Sequence, residues 1–354
     1  LPSALAAAWV SAWSEPGDLV LDPFCQDLAL ARAALGTGRR AVAVTGNPLL
    51  GLLLRVEAQP PDPGTLRGAL ERLAQAVKGD QPLGPSLDAL YAVMCSRCGA
   101  VTPADAFTWE RGASAPALAD YACGACGHHA REAPGRPPDI PPVDPLGFHR
   151  RLVAERLRAG GGHERLIRRL LDLYTPRSLY ALTAIQLKLD LLYTGSPLLN
   201  PLRACLLEAM AQASALYMPA ESGWRPAHTL GVPRTFREAN AWRTFVRAVE
   251  QMAARGRSGA LPLAPDPGQA PATMPALSLG SEGLARLADS LRGRVTLAAA
   301  TLPRFDPTFA ALSWLWSGWL WGGEGARAAA HLLRQRAPEE ARYLRALHGA
   351  LATL

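Results

Sequence analysis

Two Cys-x-x-Cys-Gly sequences constrain this chain more than any other feature. They are Cys95-Ser-Arg-Cys98-Gly99 and Cys123-Gly-Ala-Cys126-Gly127, with 24 residues between them. Each turn brings two sulfurs to one side of a tight loop, and glycine after the second cysteine permits the backbone such a loop needs. Two turns of this kind present four thiolates, the donor set of a closed tetrahedral zinc site. The segments 106–110 and 118–122 between and before the pairs read as short strands, so the sequence predicts a zinc ribbon with Cys95, Cys98, Cys123 and Cys126 as ligands. His128 and His129 are further candidate ligands by residue type, but Cys126 already completes the set. Two redox dithiols are the other reading, and no thioredoxin-like pattern flanks either pair. Four protein ligands leave no open position, which makes the site structural and not catalytic.

The rest of the composition sets the class. Of 354 residues, 49% are hydrophobic and 19% charged, a globular and not a disordered balance, long enough for two or three domains. The longest uncharged apolar stretch, 308–323, falls short of the ~20 residues a spanning helix needs. The apolar start, residues 1–13, has no basic flank and reads as a helix, not a leader. The chain opens on Leu1 and not Met, and reads as a trimmed piece of something longer. Paired Cys-x-x-Cys sequences of this kind bind metal in reducing compartments, so the expected location is cytoplasmic, with no membrane partner. The net charge is +7, and only Lys78 and Lys188 among the 37 basic residues are lysines. Codon bias accounts for such a skew; so does phosphate contact, because the guanidinium fork matches phosphate oxygens.

Along the chain, Leu19-Val-Leu reads as a buried strand, 27–36 as a helix, Ala41-Val-Ala-Val as a second strand, and Asn47-Pro48 as the start of another helix. This alternation is the beginning of a parallel α/β sheet. The predicted organisation is a first part of that domain over 1–58, a linker and helix over 59–88, the ribbon over 89–130, and a linker with six prolines over 131–145. A helical region follows over 146–255, then a second linker over 256–275 and a second part of the α/β domain over 276–354. That part contains a candidate strand at 295–301, a Trp-rich helix at 308–321 and a charged helix from about 325.

Leu19-Val-Leu-Asp-Pro-Phe-Cys25, then Leu35-Gly-x-Gly-Arg-Arg-Ala-Val42, then Asn47-Pro48 resemble the DNA amino-methyltransferases that use S-adenosylmethionine (SAM). Their pattern is Val-Leu-Asp-Pro-Phe-Cys-Gly-Ser-Gly-Thr, then Leu-Gly-Arg-Arg-Ala, then Val-Asp-Ile-Asn-Pro. Some members carry a zinc ribbon after this unit. Tyr174-Thr-Pro-Arg-Ser-Leu-Tyr180 and Phe236-Arg-Glu-x-Asn240-x-Trp242 also resemble that family, so the likeness covers most of the chain. It implies an α/β fold with a Rossmann-like SAM-methyltransferase sheet, incomplete at the C-terminus, into which the ribbon and the helical region are inserted. It implies a cofactor site at Asp22, Pro23, Phe24, Thr45 and Asn47. It also implies a catalytic tetrad at Thr301, Pro303 and Arg304, before Phe305-Asp306 and a helix reaching Trp319-Leu320.

The departures fall on the chemistry. Gln26-Asp-Leu-Ala29 replaces Gly-Ser-Gly-Thr, Thr45 replaces the ribose-binding acid, and Thr301 and Arg304 replace the Asp and the aromatic of Asp-Pro-Pro-Tyr. A shifted register offers Asp306 and Phe309 as a fallback pair. Asp22 and Asn47 have structural alternatives as turn and helix caps. The tryptophans at 314, 316, 319 and 321 suit core packing as well as base stacking. The densest positive segment is 149–177, eight arginines against three acids, with Arg165, Arg168 and Arg169 as candidate phosphate contacts. Two readings follow: a DNA methyltransferase relative with impaired catalysis that binds DNA, and a non-catalytic zinc-containing nucleic-acid-binding or scaffold protein. Zinc is expected in both and SAM only in the first. DNA is the expected partner, with a partner protein or a missing C-terminal half as the other.

Overall fold

The computed structural model describes residues 2–135, 143, 146–161, 163–264, 277–280, 291–303, 306–333, 344–345, 348–349 and 352. Most of both predicted linkers, Arg304 and most of the C-terminal charged segment lie outside them. The chain divides into two units: 1–60 with 257–317 and 327–354, and 61–256 with 318–326.

The first unit opens with α1 (Ser3–Trp13), β1 (Leu19–Asp22), α2 (Ala29–Gly36), β2 (Arg40–Val44) and α3 (Pro48–Ala58). The second unit holds α4 (Pro63–Gln75), β3 (Val77–Lys78), β4 (Gln81–Pro82), α5 (Leu83–Ala89), β5 (Ala92–Met94), β6 (Val101–Pro103), β7 (Ala106–Glu110), β8 (Leu118–Ala122) and β9 (His129–Glu132). It continues with α6 (Phe148–Arg158), α7 (Glu164–Leu171), α8 (Pro176–Tyr193), α9 (Leu199–Gln212), β10 (Tyr217–Ala220), β11 (Gly223–Pro226), β12 (Thr235–Ala239) and α10 (Ala241–Arg255). The chain then returns with β13 (Leu277–Gly280), β14 (Leu297–Ala298) and α11 (Pro307–Leu333), whose central residues 318–326 belong to the second unit.

In the first unit β13, β2, β1 and β14 form a parallel sheet in that order. Every residue of β1 is buried, as expected of a parallel strand covered on both faces. The alternation of side chains sorts them. Val20, Ala41, Ala43 and Leu277 pack with Leu30 and Ala34 of α2, Ala6 and Val10 of α1, and Leu54 of α3. Leu19, Leu21, Val42 and Val44 meet Leu291 on the other face. β13 had no counterpart among the strands expected from sequence; a four-residue Leu-Ser-Leu-Gly run is too short to separate from a loop by pattern.

The second unit departs from its expected outline. The segment 146–255 was read as helical, yet it contains the hairpin β10–β11 and the strand β12. β12 pairs antiparallel along the whole of β7, from Thr235 opposite Glu110 to Ala239 opposite Ala106. The cysteine-bearing sheet therefore has the order β12-β7-β8-β9 and does not end at residue 130. Its edge strand β12 brings in Glu238, which is 1% exposed. Trp109 Nε1 donates to Glu238 Oε2 at 2.6 Å; Thr175 Oγ1 and Ser178 Oγ donate to Oε1 at 2.6 and 3.2 Å. Arg177 Nε lies 3.7 Å from Oε1, with the guanidinium carbon 4.6 Å from the centre of the Phe107 ring and 5.2 Å from that of Tyr91. Two residues on, Asn240 caps α10 through its Oδ1 and donates to the Ala104 carbonyl at 3.0 Å.

Helix α11 breaks at Gly322, which adopts φ 66°. The break strands carbonyls at the end of the first half, and buried polar groups meet them. Arg156 Nη1 donates to Trp319 O at 2.7 Å and Gln186 Nε2 to Leu320 O at 2.9 Å. Trp314 and Trp319 are wholly enclosed, so these rings serve packing. No helix among the described residues is long and apolar enough to cross a membrane.

Removing the Glu238 carboxylate leaves three donors and the half-enclosed Arg177 cation without their acceptor. Glu238→Ala is expected to lower the free energy of urea unfolding by about 3–5 kcal/mol, and Glu238→Gln by less. Equal stability of Glu238→Ala and the parent would refute this account of the junction.

Candidate functional site

The four cysteines of the paired turns come together. Cys95 follows β5 and Cys123 follows β8, and the two turns repeat one hydrogen-bond pattern. Gly99 N donates to Cys95 O and Gly127 N to Cys123 O, both at 2.9 Å. The two glycines have φ of 71° and 67°, a region a side chain would strain. Across the turns, Cys95 Sγ lies 3.7 Å from Cys126 Sγ and Cys98 Sγ 3.7 Å from Cys123 Sγ. All four sulfurs fall within 4.8 Å of one another. A tetrahedral ion with metal–sulfur bonds of about 2.3 Å requires sulfur separations of about 3.8 Å, so the donor set fits a metal ion. Within the cluster the sulfurs differ: against burial, the backbone N–H groups of Cys98 and Arg97 bring the Cys95 thiol down to about 6, whereas, against the Ala100 N–H, Cys126 and Cys123 push the Cys98 thiol up to about 12, holding a proton that a bound metal ion would displace. His128 stands outside the four-sulfur group, its ring edge-on to Tyr121 at 6.3 Å, and His129 is an exposed residue of β9.

In the first unit the strand order reverses between β1 and β14, the place where open parallel sheets bind ligands beyond the carboxyl ends of their strands. The residues singled out from sequence collect there. Asp22 ends β1 and accepts from Phe24 N at 3.2 Å; burial pushes its carboxyl up to about 7. Pro23 and Phe24 complete the turn, and Cys25 N donates to Val44 O at 2.8 Å. Burial, with Asp22 beside it, pushes the Cys25 thiol up as well. Gln26 reaches across: its Nε2 donates to Thr301 O at 3.1 Å and lies 3.5 Å from Thr301 Oγ1. Pro303 follows in the same loop.

At the end of β2, Thr45 is buried and its Oγ1 accepts from Asn47 N at 3.3 Å. Asn47 caps α3 by accepting from Leu49 N at 3.0 Å, and its Nδ2 donates to Ser313 Oγ at 3.0 Å. A Cβ on Gly46 would stand 3.3 Å from His331 Nε2. These polar ends are thus engaged by the chain itself. Asp306 Oδ1 accepts from both Thr308 N and Phe309 N at 2.9 Å, so this carboxylate caps α11, while the Phe309 ring is half exposed.

The arginines of the basic segment line a groove of about 510 Å³ in the second unit. Helix α7 buries Leu166, Ile167, Leu170 and Leu171 and turns Arg165, Arg168 and Arg169 outward. Leu173, Leu230, Gly231 and Val232 line the same groove. Arg169 is partly committed, since its Nε donates to Leu230 O at 2.7 Å. Asp172, the acid of the groove, is neutralised by Arg150 Nη2 at 2.7 Å. Neither Arg165 nor Arg168 has a carboxylate within 4 Å among the described residues.

Two expectations follow. The chain should carry one tightly held metal ion, and Cys98→Ser or Cys123→Ser should release it; elemental analysis of freshly purified protein measures this, and full metal content in either variant would refute the four-cysteine site. The carboxyl of Asp22 binds its proton more tightly in the fold (about 7) than in the unfolded chain (3.8). Its burial therefore costs nothing below about pH 4, and the penalty grows up to about pH 7 and is complete above. Asp22→Asn should accordingly stabilise the protein by up to about 4 kcal/mol at pH 8 and leave it unchanged at pH 4. Thermal unfolding across that range would expose an error of sign.

Some residues of these sites carried no sequence signal. Nothing in the spacing of the loop 230–232 marks it as a neighbour of α7, nor marks Arg111 as a partner of the Val232 carbonyl, which it reaches because β7 pairs with β12. Glu238 lay inside a quoted motif but had no assigned partner. No family model, curated protein or solved structure matches the chain.

Proposed function

We propose that the chain is a zinc-containing, DNA-binding relative of the DNA amino-methyltransferases that does not itself transfer methyl groups. One observation carries the loss of catalysis: Gln26 is hydrogen-bonded to Thr301. In the family the chain resembles, a glycine at the first position lets SAM approach, and an aspartate at the second accepts hydrogen bonds from the target amine. Here the first position carries a side chain that fills that approach, and the second is itself occupied as an acceptor by it. Thr45, where the ribose carboxylate is needed, is buried and bonded to Asn47. The residues present do not fit SAM. The loss of one preorganised partner costs about 10²–10³ in rate, and several are missing together.

Descent is supported by the sheet. Four parallel strands in the order β13-β2-β1-β14 correspond to the 3-2-1-4 order of a Rossmann-like sheet. Four thiolates in a tetrahedral spacing suit zinc, with no vacant position for a substrate. The reading of DNA as partner rests on Arg165 and Arg168, two cations without a carboxylate within 4 Å among the described residues, in a groove whose acid is paired with Arg150.

Incubation with radiolabelled SAM and unmethylated DNA is expected to give no incorporation above background, and calorimetry no heat of SAM binding. Methyl transfer that disappears in Asp306→Ala would overturn the reading and assign the shifted register to catalysis. DNA affinity should fall steeply with salt, and the Arg165→Ala/Arg168→Ala pair should reduce the log–log slope by up to about 0.9 per lost phosphate contact. An unchanged slope would remove the groove from the site.

A further inference from the structure

The two cysteine turns do not stand on the same support. The second joins β8 to β9 within the four-stranded sheet, whereas the first joins β5 to β6, a two-stranded ribbon outside that sheet. So short a pair is marginal by itself, and the first turn has to be held where its sulfurs face the second. Bonds within each turn are local: Cys95 N donates to Ala100 O at 2.9 Å and Cys123 N to His128 O at 2.8 Å. They shape a turn but do not place it against its neighbour.

The side chain that crosses between the two is Tyr121 of β8, which is 4% exposed. Its Oη accepts from the backbone N–H of Ser96, the residue after Cys95, at 3.1 Å. The same Oη donates to Glu132 Oε1 on β9. The register pairs Ala119 with Glu132 and Tyr121 with Ala130, so Tyr121 and Glu132 are diagonal neighbours on one face. While the Ser96 N–H turns to Tyr121, the N–H groups of the next two residues, Arg97 and Cys98, face the Cys95 sulfur. Gly124, the counterpart of Ser96 in the second turn, has no such side-chain partner among the described residues. A further tie, Thr102 Oγ1 to Ala122 O at 3.3 Å, joins β6 to β8 but not the turn itself.

We propose that Tyr121 and Glu132 are positioning residues of the metal site: they hold the first cysteine turn against the second before an ion binds, and so set how tightly the ion is kept. The inference rests on the four-cysteine site and is independent of the DNA reading. An unheld turn would have to be ordered by the ion itself, and that ordering is subtracted from the affinity. A hydrogen bond from an enclosed side chain supplies the order in the fold, as outer partners of metal ligands do.

Competition for zinc between the full chain and a chromophoric chelator tests this. Tyr121→Phe keeps the ring and removes Oη, and is expected to bind zinc about 10–100-fold more weakly. Glu132→Ala should weaken binding in the same direction, while Glu132→Gln keeps an acceptor for Oη and should stay near the parent. The cobalt-loaded protein should show the same tetrahedral thiolate absorption in the parent and in Tyr121→Phe, because no ligand changes. Far-ultraviolet circular dichroism checks folding; if Tyr121→Phe does not fold, Glu132→Ala decides. Parent-like zinc affinity in a folded Tyr121→Phe or in Glu132→Ala would overturn the proposal. So would an altered cobalt spectrum, which would mean a changed ligand set, or a Glu132→Gln as weak as Glu132→Ala, which would assign the effect to charge. No zinc bound by the parent would overturn the four-cysteine site and the clamp together.

Discussion

A carboxylate enclosed by protein has to be satisfied where it stands, and the bonds to Glu238 join three separate stretches of chain. Trp109 comes from the cysteine-bearing sheet, Thr175 and Ser178 from the first turn of α8, and Glu238 itself from a strand more than a hundred residues past the sheet it completes. Hydrogen bonds to a charged group contribute about 1.5–3 kcal/mol each, and an unmet buried charge costs several. Three donors with the Arg177 cation at 3.7 Å make the arrangement favourable only when all are present. The junction therefore acts as a register mark. It fixes which residue of β12 lies opposite Trp109, and with it the position of Arg234 just before that strand.

That register carries a functional consequence inside the second unit. The two cysteine turns link β5 to β6 and β8 to β9, and β7 lies between β8 and β12. Arg111 at the end of β7 reaches the loop that walls the groove. A bound metal ion, supplying of order 10 kcal/mol of local folding energy in small cysteine sites, would thus secure the strands next to β7, from whose end Arg111 holds that loop. The closed donor set and the groove belong to one structural chain of cause, although no ligand of the metal touches the groove.

What could be read in advance follows the range of the interactions concerned. Strands β1 and β2, the cap at Asn47 and the four cysteines were legible because each is a local pattern: a short all-apolar run, a polar residue before proline, a fixed spacing with glycine after it. β12 was not legible, because Phe236-Arg-Glu-Ala alternates too briefly to stand out within a helical stretch, and its strand character comes from pairing with β7. The same holds for Arg111, whose role depends on a loop between distant strands. Arg165, Arg168 and Arg169 were legible as a charge cluster, but their inequality was not. Only the bond to Leu230 O separates Arg169, which holds a loop, from Arg165 and Arg168, which face outward.

The sheet of the first unit raises a different question: how the polar ends of its strands are satisfied. Strand ends and helix starts at a switch point leave donors and acceptors that a cofactor would otherwise satisfy. In this chain each is met internally. Gln26 spans to Thr301, Asn47 divides its amide between the α3 cap and Ser313, and Thr45 takes the Asn47 N–H. Asp22 is the exception. It keeps a carboxyl in a buried position with a single backbone donor at 3.2 Å, and its proton is held up to about pH 7 as a result. A fold shaped for packing alone would gain by replacing it, because the Phe24 N–H and the Cys25 thiol do not offset the desolvation of the carboxylate. With Gln26, Thr45 and Asn47 bonded internally, the cost of burial at these strand ends falls on Asp22, whose carboxyl is pushed up to about 7 as a result.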